Sequence, residues 1–392
     1  MADSTTVTPL RFARLLRGLS AKQLAAMVGR TPAWVSQLET EAKEMPREAV
    51  SVFATALDVP SAWLDQAPIR LEVLHFRHKK RTKAAQRERV TARAVVTRMI
   101  VAELEECFEE LYRPTLPSID LPGQPGDPTR VPEIEAAARE VRSAWGMGEG
   151  PIPDLVRAVE ANGIWVTQLQ GEDRCVDAYS WWSDGHAFIA LNPVPLDGSD
   201  SPAAPAEARN SYRERFNVAH ELGHLTLHRD LPEELVGTRD VESEAHRFAA
   251  AFLVPASQWR ASAPKSISWR DYREHAHRWG VSATTLLRRS RDLGLFDEAR
   301  YQAAMIRVSS EIGRRGEGLH LPPRAIERPG RLEAHLRALE VQGGITVADV
   351  AEDIGLWETD VIDAIGVPPV AAPLGKVIDF KAAQARSGSA GR

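Results

Sequence analysis

Residues 215–224 read Arg215-Phe216-Asn217-Val218-Ala219-His220-Glu221-Leu222-Gly223-His224, and the last five decide the fold around them. A helix turns once in 3.6 residues, so two histidines four apart share a face about 6 Å apart along the axis, close enough to hold one metal ion. Glu221 can reach a metal-bound water and take its proton, so one turn supplies two ligands and a general base. The flanks support a helix: residues 215–219 hold no breaker, and Leu222, Leu225 and Leu227 supply apolar packing. Gly223 inside it costs roughly 1 kcal/mol relative to alanine, which makes sense where something approaches the backbone closely. The bland alternative is an amphipathic helix with two satisfied core histidines.

A catalytic site needs a third protein ligand and an open fourth position. Residues 241–255 form a helical pattern whose apolar face runs through Ala245, Phe248, Ala249 and Phe252 and stops at Pro255. Glu242 lies on that stripe and Glu244 is offset from it, so Glu242 is the expected ligand and Glu244 the reserve. His246, one turn after Glu242, is the expected outer partner that orients a ligand. His228 is the remaining competitor, but a straight helix swings it roughly 80° from the direction of His220. Nitrogen and carboxylate ligands suit Zn²⁺, with Mn²⁺ as the alternative.

The run 215–224, followed by Glu242-Ser243-Glu244-Ala245-His246-Arg247-Phe248-Ala249-Ala250-Ala251-Phe252-Leu253-Val254-Pro255, resembles the ImmA/IrrE family of bacterial metallopeptidases. The resemblance extends through 176–181, 188–192, 279–282 and 293–295, roughly the middle third of the chain. It implies a gluzincin-like domain in which the first glutamate of a Glu-x-x-Ala-Asp-like element is the third ligand, which carries by register onto Glu242. His246 stands where Asp or Asn is more usual. The resemblance also implies metal-assisted peptide hydrolysis, with a repressor or other regulatory protein as substrate.

The first 65 residues read as short amphipathic helices over 10–17, 21–28, 32–39 and 47–57, with Ser20 and Thr31 as caps of the second and third. A tight turn at Gly29-Arg30 joins those two, and packing through Leu24, Ala25, Val35 and Leu38 is the pattern of a helix-turn-helix. The segment resembles the Cro/repressor-type XRE family. That resemblance implies DNA binding through Thr31, Ala33, Ser36 and Gln37, with Lys22 nearby. Ala21 replaces the usual glutamine, and Thr40 and Glu41 follow Glu39 without the usual glycine. The alternative is a dimerising helical module, and a homodimer is one expected assembly.

The chain of 392 residues, 43% apolar with net charge −5, suffices for two or three domains. Cys107 and Cys175 cannot build a disulfide framework, which fits a reducing cytosol. There is no membrane-length apolar run and no signal-peptide core, so a cytoplasmic protein without membrane partners is expected. Residues 70–98 carry Arg70, Arg77, Lys79, Lys80, Arg81, Lys83, Arg87, Arg89, Arg93 and Arg98 against Glu72 and Glu88. They read as a basic helical connector, suited to phosphate contacts or simply solvated. Pro, Gly and Asp gather over 114–132 as a linker. Strands are expected over 164–167, 176–182 and 186–191, with a turn at Ser183-Asp184-Gly185. The stretch 188–191 is the candidate edge for adding a substrate strand, and Tyr179 and His186 are candidate oxyanion donors. Loops are expected over 197–208 and 231–240. Beyond Trp259 the chain reads helical; residues 347–365 echo the helix-turn-helix period as a packing module, and 370–392 form a mobile tail.

The expected fold class is mainly α, α+β. A helix-turn-helix bundle (1–68) leads through the connector and linker (69–130) to a gluzincin-like metallopeptidase domain with a small sheet (131–262) and a helical C-terminal region (263–392). The function that follows is a DNA-binding transcriptional regulator whose zinc peptidase cuts a regulatory protein, with DNA and a protein substrate as partners. The rival is a non-proteolytic transcription factor whose zincin-like domain senses a ligand or partner, or an antitoxin-like regulator.

Overall fold

In the computed structural model the described residues are 6–71, 75–78, 84–108, 111, 113–169, 176–194, 209–265, 267–312 and 321–366. The chain begins with β1 (Thr6–Val7) and four helices, α1 (Pro9–Leu16), α2 (Ala21–Met27), α3 (Pro32–Glu39) and α4 (Arg47–Leu57). A 3-10 turn at Ser61–Asp65 leads to β2 (Ile69–Arg70), which pairs antiparallel with β1. Ser20 and Gln23 form a reciprocal capping box on α2, and the Thr31 hydroxyl accepts from Trp34 N on α3. Leu24, Ala25, Val35 and Leu38 are buried. Arg14 and Glu39 form a buried bidentate pair, with Arg14 Nη2 2.8 Å from Glu39 Oε2.

The stretch 70–98, expected as a helical connector, is helical only in part. β3 (His75–His78) joins a central sheet, and α5 (Ala84–Cys107) follows. Charge density carries no information about an edge offered by another strand, and here that edge makes the strand. The linker 114–132 is irregular as far as residue 129 and helical from Arg130, and it is not free. Leu116, Ile119 and Leu121 pack on a hydrophobic core, and Trp145 Nε1 donates to Thr115 O at 2.6 Å.

The remaining elements are α6 (Arg130–Ala144), α7 (Leu155–Ala161), β4 (Ile164–Gln168), β5 (Val176–Ser183), β6 (His186–Leu191), α8 (Ser211–Leu227) and α9 (Arg239–Leu253). They continue as α10 (Ala256–Ser262), α11 (Trp269–Trp279), α12 (Ala283–Asp292), α13 (Glu298–Ile312), α14 (Arg331–Ala338), α15 (Val347–Asp353) and α16 (Glu358–Ile365). The sheet order is β3-β5-β6-β4. Asp184 and Gly185 sit at φ 50° and 80°, the left-handed pair that a two-residue hairpin loop demands. The stretch 188–191, expected at an edge, is interior. β4 lies parallel along its far side, with Trp165 opposite Phe188, so the described edges are β3 and β4.

Both sheet faces are covered. Ile164, Val166, Ala178, Ala187 and Ile189 face a core shared with α6–α9 and α11–α13. Trp165, Tyr179, Trp181 and Phe188 face a second core built from α1–α5 and α14–α16. The first and last described helices therefore meet. Arg17 pairs with Asp360, Nη2 to Oδ2 3.0 Å, and a Cβ on Gly355 would lie 2.2 Å from Gln66 Nε2. Cys107 is buried. Cys175, Lys79, Lys80, Arg81, Lys83, Glu72, the loop 197–208 and the tail 370–392 lie outside the described residues. No helix among the described residues is long and apolar enough to cross a membrane.

Arg14→Ala leaves Glu39 buried and unpaired, so denaturant unfolding is expected to show a loss of about 3 kcal/mol. Truncating Glu88, whose pair with Arg11 spans 3.8 Å at partly exposed positions, is expected to cost about 0.5 kcal/mol or less.

Candidate metal centre

Every residue of α8 except Arg213 is buried, so the histidine pair lies on an interior helix. Its first turn is pinned by charge. Arg215 pairs with Glu327 and donates from Nη2 to Ile152 O at 2.9 Å and from Nε to Gly280 O at 3.2 Å. Glu214 pairs with Arg209 at 2.7 Å and accepts from Val194 N at 2.8 Å. α9 packs across α8 at Gly223, where an added Cβ would lie 3.1 Å from both Ala245 O and Phe248 Cδ1. The close approach implied by the glycine is thus the approach of α9.

That crossing brings Glu242 to the histidines. His220 Nε2 lies 3.1 Å from His224 Nε2 and 3.2 Å from Glu242 Oε2, and His224 Nε2 lies 3.5 Å from Glu242 Oε1. A tetrahedral ion with bonds of 2.0–2.1 Å has edges of roughly 3.3 Å, and these three separations bracket that value. Two imidazole nitrogens aimed at each other this closely also need a cation or a proton between them. The donor set and its spacing therefore fit a zinc-type ion. The histidines are fully buried, while the Glu242 side chain is 25% exposed, which marks the open side. Burial alone would raise the Glu242 carboxyl, but hydrogen bonds and charge from His220 and His224 hold it well below the usual carboxylate range. Glu221 is wholly buried and accepts from Ser180 Oγ on β5 at 2.8 Å.

The other candidates divide. Glu244, the reserve ligand, is turned away from the three-residue cluster: it accepts from Gly126 N at 2.8 Å and lies 3.2 Å from Arg130 Nε. His228 follows the last turn of α8, with Nε2 3.1 Å from Glu244 Oε2 and Nδ1 3.0 Å from His224 Nδ1. Burial pushes the His228 imidazole down to about 4, so it is neutral. His246 packs edge-on against His220 with centroids 5.4 Å apart, beside Phe216.

Two expectations are corrected. Tyr179 is one residue from Ser180 and so points from the opposite sheet face, stacked on Trp181 at 5.4 Å. His186 also lies away from the metal cluster, with Nε2 2.7 Å from Glu105 Oε1 on α5 and Nδ1 accepting from Trp165 Nε1 at 3.4 Å. Neither can serve as an oxyanion donor there. Ser180, Gly126 and Arg130 escaped sequence reasoning. His228 reads from the sequence as a competing ligand, and its four-residue spacing from His224 is the signal that the two rings are neighbours.

Residues 206–291 match the family model of the IrrE N-terminal-like domain, Peptidase_M78. The match takes in α8, α9, α10, α11 and nearly all of α12, and with them His220, Glu221, His224 and Glu242. A search of curated proteins finds no match for the chain. The IrrE N-terminal-like stretch thus coincides with the helix pair that builds the candidate centre, a metallopeptidase-type arrangement.

His220→Ala and Glu242→Ala are each expected to abolish stoichiometric Zn²⁺ binding, read as metal content after gel filtration. Gly223→Val removes no ligand but pushes α9 from α8, and it is expected to weaken binding in chelator competition.

Proposed function

We propose that the chain is a DNA-binding regulator that carries a zinc-dependent endopeptidase and cuts a regulatory protein such as a repressor. One observation carries the peptidase reading: Glu242 converges on His220 and His224 within the IrrE N-terminal-like stretch, while Glu221 on the same helix is held by Ser180. The chemistry supplied by bound Zn²⁺ is polarisation of the scissile carbonyl and acidification of a water. His220, His224 and Glu242 would hold the ion, and Glu221 would serve as the general base for that water and return the proton to the leaving amine. Ser180 fixes Glu221 Oε2 and so sets the direction of Oε1. Mn²⁺ is the alternative ion.

The head supports the DNA-binding half of the reading. α2 and α3 pack as the pair expected of a helix-turn-helix, and Lys22, Thr31, Ala33, Ser36 and Gln37 are all exposed. Arg30 and Lys43 lie over the Trp34 ring at 5.2 and 5.6 Å, which brings positive charge to α3. A glutamine such as Gln37 can pair bidentately with adenine, and the basic stretch 70–98 would add phosphate contacts. A homodimer on a two-fold operator would suit this head. A second reading, sensing without cutting, is favoured by β3: it pairs along β5 opposite Ser180, where an added substrate strand would otherwise run.

Glu221→Gln keeps the helix and the ligands, so the peptidase reading predicts unchanged Zn²⁺ content with cleavage reduced about 10²- to 10⁴-fold. The check compares protein N-termini in cells expressing the parent chain with those expressing Glu221→Gln. A new N-terminus in a regulatory protein should appear with the parent alone, and identical profiles would replace the peptidase by the sensor. For the head, Gln37→Ala is expected to cost about 1–3 kcal/mol at one operator position, measured by footprinting at two salt concentrations.

A further inference from the structure

Behind His224, away from Glu242, three side chains line up. His224 Nδ1 lies 3.0 Å from His228 Nδ1, His228 Nε2 lies 3.1 Å from Glu244 Oε2, and Glu244 Oε1 accepts from Gly126 N at 2.8 Å beside Arg130 at 3.2 Å. His228 and Glu244 are buried, and so is Arg130. The line starts at a candidate ligand and ends on the strap that precedes α6.

Its proton order is forced from the far end. A carboxylate surrounded by a backbone N–H and a guanidinium can only accept, so it takes the Nε2–H of His228. A neutral imidazole with its proton on Nε2 has a lone pair on Nδ1, and that lone pair accepts from His224 Nδ1–H. His224 is then left with a lone pair on Nε2, the atom that faces His220 and Glu242. A ligating histidine usually passes its second N–H directly to a carboxylate, a carbonyl or water. Here a second histidine stands between.

We propose that His228 and Glu244 are positioning residues, forming with His224 a relay anchored at Gly126 and Arg130 that holds His224 in the one tautomer and orientation able to bind metal. The proposal rests on the metal-centre reading above. It separates the roles of the two glutamates on the first turns of α9: Glu242 completes the ligand set, and Glu244 acts through His228 and His224.

Three substitutions distinguish this relay from simple packing. His228→Asn keeps an acceptor near the Nδ1 position. His228→Phe keeps the ring volume and loses the acceptor. Glu244→Gln is isosteric, but its amide must either turn an N–H toward His228, reversing the relay, or present it to Gly126 N–H and Arg130. Zn²⁺ affinity is measured by chelator competition on the full chain, with thermal unfolding of each metal-free variant as the check on folding. Affinity is expected to fall about 10- to 100-fold in His228→Phe and Glu244→Gln and to stay within a few-fold of the parent in His228→Asn. Parent-like affinity in His228→Phe, or equal weakening in His228→Asn and His228→Phe, would overturn the relay. ¹⁵N–¹H spectra of the zinc-loaded parent need no variant: His228 should carry its proton on Nε2, and a proton on Nδ1 or on both nitrogens would refute the proposal. If His220→Ala binds Zn²⁺ as tightly as the parent, the metal centre itself is misassigned, a failure distinct from one confined to residues 228 and 244.

Discussion

The closeness of α8 and α9 is the constraint on which the centre depends. Packed helices ordinarily lie 8–10 Å apart, and the bulk at the crossing sets where in that range they settle. Gly223 removes that bulk at the contact with Ala245 and Phe248, so a glutamate on one helix can reach nitrogens on the other. α9 is then held at its far end by two buried arginines. Arg142 donates to Phe252 O, and Arg289 donates to Val254 O while pairing with Glu135. Donors aimed at the last carbonyls of a helix satisfy groups that have no partner within it. The first turn of α9, which carries the candidate ligand Glu242, thus sits on a helix fixed at both its crossing and its end.

The sheet gives this helix pair its setting. With side chains alternating between faces, adjacent residues on β5 belong to different parts of the molecule. Ser180 reaches Glu221, while Tyr179 and Trp181 enter the core shared with α1–α5 and α14–α16. A one-residue slip in the pairing of β5 would exchange these faces, withdrawing the Ser180 hydroxyl from Glu221 and the Trp182 indole from Leu225 O, and turning Tyr179 and Trp181 toward α8. The hairpin turn at Asp184-Gly185, with both residues at positive φ, fixes that register.

Much of this was legible in the chain. Spacing alone placed His220, Glu221 and His224 on one helix. The apolar stripe of 241–255 pointed to Glu242 but for a reason the structure reverses: Glu244 is the buried one, and Glu242 meets the histidines from the partly exposed side of α9. The glycine signalled a close approach, and Ser20 and Thr31 announced the helix starts. Legibility failed where an outcome depends on a distant partner. The strand His75–His78 exists because β5 has an edge to offer, and β6 is interior because β4 returns beside it. Tyr179 and His186 carry suitable chemistry, but which way they face depends on pairing and packing that local sequence does not encode. The stretch 114–132 looks like a linker by composition, yet its Gly126 N–H completes the hydrogen bonding of Glu244.

The meeting of the first and last described helices sets a condition on how the molecule forms. Arg17 and Asp360 are 343 residues apart, and the core between them also receives Trp165, Tyr179, Trp181 and Phe188 of the sheet. During synthesis the head, α5 and the aromatic face formed by Trp165, Tyr179, Trp181 and Phe188 emerge long before α14–α16 exist to close over them. Contacts so remote in sequence are slow to form, and the surfaces waiting for them are open to wrong partners. The half that holds the candidate metal centre draws its core from residues between Leu116 and Leu321, so it can mature first, whereas the head is completed only by α14–α16.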